Sequence, residues 1–158
     1  MEKSVKTKEH LFRGEWISKD ELVNQLERLE EIVSKDLSEQ LNPIILLAAA
    51  EKLREDLKKE IPEEWINSLV LSGQRHEEAL NTINIIIEFL NPEGLKKKYI
   101  RELGSMEPFI PKRFDFKTNV FEAWAPLGTL VHIVPGNAAT VAPLSVLEGL
   151  MSGNINLL

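Results

Sequence analysis

The chain has 158 residues, 43% hydrophobic and 28% charged, ordinary values for a soluble protein long enough to bury a core. A formal net charge of −6 denies it the basic face that a general nucleic-acid binder needs, and no apolar run approaches the length of a membrane span. The absence of cysteine excludes disulfides, thiolate metal sites and a thiol nucleophile within these residues, and fits a cytoplasmic protein.

The start, Met1 to Lys6, has no apolar core behind it and shows no signal peptide. Ser18 with Glu21 spells a capping box, and Leu22, Val23, Leu26, Leu29, Ile32 and Val33 then form a single apolar stripe. Asn42-Pro43 is an N-cap with a first-turn proline and opens a helix to about Lys59. Pro62 opens a shorter helix through Leu71, broken by Ser72-Gly73. Gln74 to Leu90 is helical, with Leu80, Ile83, Ile87 and Leu90 on one face. Asn91-Pro92 repeats the cap-and-proline device, and that helix ends near Gly104.

The composition then changes. Residues 1–113 hold 22 acidic and 18 basic residues, whereas residues 114–158 hold only Asp115, Lys117, Glu122 and Glu148. A helical region over 1–113 is therefore set apart from a more buried segment over 114–158, the boundary falling in the turn-rich stretch around Pro108 and Pro111. Phe109 to Trp124 alternates and predicts a two-stranded ribbon turning at Lys117-Thr118-Asn119. Thr129 to Val134 reads as a buried strand, Ala138 to Met151 as a helix, and Ile155 to Leu158 as a second strand. That is one βαβ unit with parallel strands. The expected fold class is α/β: a helical region, a β-ribbon and the first βαβ unit of a Rossmann-like domain. Parallel strands are normally buried on both faces, so a pair of them predicts an amino-terminal piece of a larger enzyme. Its open sheet edge predicts self-association through residues 126–158.

Pro135-Gly136-Asn137 joins the first of these strands to the helix. At the carboxyl end of a parallel strand such a turn faces the ligand crevice, beside the free N–H groups of the helix. The side-chain amide of Asn137 can donate to a developing oxyanion. The plain alternative is that Gly-Asn is a common turn pair. Gly128, Gly149 and Gly153 make no dinucleotide fingerprint, because only Gly136 sits in a strand-to-helix turn. His132 either faces the crevice or is a satisfied interior histidine, and the second is the preferred reading. His10 and His76 have no partners at ligand spacing, so no metal site is expected.

Phe121-Glu122-Ala123-Trp124-Ala125-Pro126-Leu127-Gly128, His132 to Asn137, and Leu150 to Leu158 together resemble the aldehyde dehydrogenase superfamily, and within it the LuxC-type acyl-CoA reductases. The shared pattern is a Pro-x-Gly turn, an apolar strand, Pro-x-Asn, a helix, then Gly-Asn and a strand. The resemblance implies an NADP(H)-dependent reductase that turns a fatty acyl thioester, acyl-CoA or acyl-protein, into an aldehyde through a cysteine thioester lying outside this chain. It makes Asn137 the oxyanion-hole amide, and has Ile133, Val134, Pro135 and Gly136 line the nicotinamide and its ribose. Gly136 departs from the aromatic residue frequent at that position. A non-catalytic helical binding or adaptor module is the competing expectation, in which Pro135-Gly136-Asn137 is only a turn.

Overall fold

The computed structural model of the protein describes residues 8–39, 42–135 and 138–158. Contacts divide the chain into two units, Met1–Glu39 and Gln40–Leu158. The change of composition near residue 114 lies inside the second.

The first unit opens with an antiparallel hairpin, β1 (Lys8–Phe12) and β2 (Glu15–Ser18), that the sequence reading did not anticipate. Its turn is Arg13-Gly14, with φ of 51° and 85°. Positive φ at both central residues matches the twist of the flanking strands, which is why tight hairpins select it. Ser18 ends β2 and caps α1 (Lys19–Glu27): its hydroxyl accepts from Glu21 N–H, and its own N–H donates to the Glu21 carboxylate at 2.8 Å. The single apolar stripe expected from Leu22 to Val33 is carried by two helices, α1 and α2 (Leu29–Ser38), parted at Arg28. There the backbone tightens, Arg28 N–H bonding Gln25 O at 3.1 Å, and the helix restarts. Arg13 on the hairpin turn pairs with Asp36 on α2 at 2.9 Å.

The second unit is built on α3 (Pro43–Lys59), α4 (Glu63–Leu71), α5 (His76–Phe89), α6 (Pro92–Leu103) and α7 (Val141–Met151). Both Asn-Pro pairs act as read from the sequence. Asn42 accepts from Ile44 N–H and Asn91 from Glu93 N–H, each with proline in the first turn. Gly104, at φ 80°, closes α6 in the left-handed conformation that a side chain disfavours. The core joins Ala50 and Leu57 of α3, Ile83 and Ile87 of α5 with Leu90 at its C-cap, Leu95 and Tyr99 of α6, and Met151 of α7. Ile83, 1% exposed, is its most enclosed large side chain, worth roughly 1.5–3 kcal/mol of burial.

The ribbon expected over 109–124 is reduced to one antiparallel bridge, Lys112 with Glu122, whose N–H groups each reach the other's carbonyl at 2.9 Å. The reversal sits earlier than expected: Asp115 accepts from Lys117 N–H at 2.8 Å, an Asx turn that takes the chain out of strand geometry. β3 (Thr129–Val131) and β4 (Ile155–Leu157) pair in parallel, Thr129 opposite Ile155, with α7 between them in sequence. Asn154, 6% exposed, fixes this pairing: its side-chain oxygen accepts from Gly128 N–H at 3.0 Å, and Ile155 N–H reaches Gly128 O at 2.9 Å. The mixed helix and parallel-pair architecture is compatible with the α/β class.

Candidate functional site

The strand-to-helix junction lies at the carboxyl end of β3. Pairing continues one residue past the strand, His132 N–H donating to Leu157 O at 2.8 Å. Ile133 then turns its side chain almost wholly to solvent, 93% exposed, Val134 is half-buried and Pro135 exposed. Gly136 and Asn137 lie outside the described residues. Beyond them Ala138 N–H reaches Pro135 O at 3.3 Å.

The helix begins at Val141, not Ala138 as expected. The reason is Pro143. It has no N–H to give, so a helix begun at Ala138 would carry it in the interior and lose a bond. A start at Val141 places it in the first turn, where amide donors are unpaired anyway. Thr140, at the N-cap, makes no capping bond with its side chain among the described residues.

Behind the junction lies a polar array. One ring nitrogen of His132, Nδ1, is 2.8 Å from Ser145 Oγ on α7, and Nε2 is 2.7 Å from Asn156 Oδ1 on β4. Asn156 donates its Nδ2 to Asn154 O at 3.0 Å, which fixes Oδ1 as the atom facing the ring. An amide oxygen only accepts, so Nε2 carries a proton, and in the neutral ring Nδ1 accepts from the Ser145 hydroxyl. Both nitrogens are therefore partnered, the satisfied-histidine arrangement. Gly149 makes room for it: a Cβ there would collide with Asn156 Oδ1.

His132 and Ser145 line a cleft of about 310 Å³ shared with Tyr99 and Leu103 of α6 and Leu130 of β3. Tyr99 is 3% exposed, and its hydroxyl has no hydrogen-bond partner among the described residues. Burial raises its pKa above the ordinary 10.0. At the mouth Lys98 pairs with Glu148 at 2.7 Å and with Glu102 at 3.3 Å. The hydrogen bond that Lys98 donates to the Glu148 carboxylate chiefly raises the lysine pKa. Ser145, Asn156 and Tyr99 escaped the sequence reading, although pairing the two strands already places His132 beside β4. Among the described residues no group of His, Cys, Asp or Glu could hold a metal ion, and no helix is long and apolar enough to cross a membrane.

A family model described as acyl-CoA reductase (LuxC) matches residues 20–158. The chain belongs to the LuxC acyl-CoA reductase family. The matched span takes in all but the first residue of α1, then α2 to α7 and both strands of the parallel pair, so it includes the junction and the polar array alike. Searches of curated proteins and of solved structures found no significant match.

Proposed function

We propose that this chain forms the first part of the nucleotide-binding domain of an NADP(H)-dependent reductase that converts a fatty acyl thioester, from acyl-CoA or an acyl-protein, to an aldehyde in the cytoplasm. One observation carries the reading: in a chain of this reductase family, Pro135-Gly136-Asn137 follows a parallel strand and precedes a helix. That is where Rossmann-like and aldehyde dehydrogenase-like domains bind the cofactor. The residues that the structure describes there fit such a group. Ile133 offers an almost fully exposed apolar side chain, and Pro135 a rigid one, on which a nicotinamide ring can lie. When bound, NADPH supplies the hydride that reduces the acyl carbon.

The acyl group passes from its carrier thiol to a cysteine thiolate, giving an enzyme thioester and the free carrier thiol. Because this chain has no cysteine, that thiolate belongs to residues outside these 158. Reduction by bound NADPH would place a negative charge on the acyl oxygen. Asn137 donates its side-chain N–H to that oxygen, and Val134 and Gly136 complete the cofactor wall. Collapse of the thiohemiacetal releases the aldehyde and restores the thiolate. Self-association through residues 126–158 is part of the same proposal, and sedimentation of the chain at rising concentration tests it.

In the active enzyme, Asn137→Ala lowers kcat by about 10²–10³-fold, because an oxyanion donor acts as charge develops. Asn137→Asp is at least as harmful, since it sets a negative charge against the oxyanion. NADPH affinity changes little in either variant. A near-normal kcat in Asn137→Ala would show that the turn is only a turn, whereas an enzyme that forms no aldehyde at all would favour the non-catalytic adaptor module.

A further inference from the structure

The four helices α3, α4, α5 and α7 enclose a pocket of about 500 Å³ that the junction chemistry does not use. Its floor is the core itself, Leu57, Ile83 and Leu90, all buried. Its rim carries Leu53 and Trp65, 44% and 41% exposed. Among the described residues lining it there is no lysine, arginine or histidine. Of its few polar groups, the Thr82 hydroxyl is already bonded to Gln74 at 3.1 Å. Such walls offer nothing to a phosphate or nucleotide and suit a hydrocarbon. The pocket follows α7 from Pro143 to Leu150, about 10 Å of helix. That is the reach of an extended chain of roughly eight carbons with C–C bonds of about 1.5 Å. Ala139 also lines it, two residues after Asn137 in sequence.

We propose that this pocket holds the hydrocarbon tail of the acyl thioester, with the thioester end at Ala139 and the methyl end against Leu57, Ile83 and Leu90. The assignment rests on the reductase reading for the identity of its ligand. It adds the place of the tail and a length limit. The floor is made of buried side chains, so a tail that reaches it gains nothing from further carbons.

The test is a binding series of butanoyl-, hexanoyl-, octanoyl-, decanoyl- and dodecanoyl-CoA on the full chain. Each added carbon should tighten binding about fourfold, the effect of burying one methylene. The gain should stop near octanoyl, the length that the pocket reaches. Ser68→Phe and Leu53→Asp, at exposed positions of the lining, should flatten the series with the helical circular dichroism intact. A readout independent of those variants uses Trp65 as the sole tryptophan, Trp16 and Trp124 being replaced by Phe: dodecanoyl-CoA brominated in mid-chain should quench it. A series with no dependence on length, a slope untouched by both variants, or an unquenched Trp65 would overturn the proposal. A flat series together with self-association abolished by Ser68→Phe would overturn it in favour of a second copy of the chain. A protein that binds no NADPH and forms no aldehyde, with the length series intact, would sink the reductase reading and leave the tail pocket standing.

Discussion

The two sides of α7 obey different rules. One side presents Pro143, Leu144, Leu147 and Leu150 to a pocket with unfilled volume. The other presents Ser145 and Gly149 to a polar array in which each atom has one place to be. An apolar wall is held by area and tolerates changes of shape. A partly buried polar array is held by pairwise geometry, and a lost partner costs the desolvation of the group left behind. The lesson is that one short helix can present a forgiving surface and an unforgiving one a few residues apart.

The sharpest way to break this contrast is Gly149→Ala. Helix propensity alone favours alanine by about 1 kcal/mol. Packing opposes it, because the new Cβ would meet Asn156 Oδ1 and, at 3.2 Å, Leu130. The clash wins, and urea unfolding should show a net loss of about 2–3 kcal/mol. A stabilised Gly149→Ala would mean that the array is loose. Ser145→Ala comes next. It leaves His132 Nδ1 without its donor and should cost about 1–2 kcal/mol, with less than additive loss when His132 is also replaced by Phe. Tyr99 sharpens the picture at lower amplitude. As the only tyrosine, it should titrate by ultraviolet absorbance above 10.0 in the folded chain. Its raised folded value means that the native state keeps the proton longer than the unfolded one. Stability from this group is therefore full below about pH 10 and lost as pH rises through the raised value. Removing the unpartnered hydroxyl by Tyr99→Phe should be neutral or stabilising by up to about 1 kcal/mol. The smallest effect belongs to the apolar side: Ala139→Leu, into the pocket, should shift stability by no more than about 0.5 kcal/mol. A loss as large as that of Gly149→Ala would erase the contrast.

The sequence made legible what local chemistry alone decides. The capping box at Ser18, the Asn-Pro starts at Asn42 and Asn91, and the glycine stop at Gly104 are each settled within a few residues, and each stands in the structure. The parallel strands were legible because an apolar run, a helix-length gap and a second apolar run leave few topologies. What failed had competing local signals. The alternation over 109–124 suggested a ribbon, but the Asp115 side chain bonds its own backbone neighbour and ends the strand geometry. The stripe over 22–33 hid the break at Arg28, where neither glycine nor proline marks it. The hairpin turn at Arg13-Gly14 carries a weak signal, because only the glycine favours a positive φ and arginine rarely adopts one. At the candidate site, the junction could be named from Pro135 and its neighbours. The polar array could not, because Ser145, Tyr99 and Asn156 meet only after α6, α7 and β4 are packed.

Asn154 has a consequence for how the chain finds its alignment. β3 and β4 contribute three residues each, too few ladder bonds to distinguish one alignment from its neighbour by their sum. A slip by one residue would send His132 and Asn156 to opposite faces. The bond from Gly128 N–H to the Asn154 side chain exists only in the observed alignment, and Gly128 is at a φ of 111° that few other residues accept. That bond thus acts as an address rather than as glue: its contribution to stability is modest, while the information it carries decides which side chains share a face.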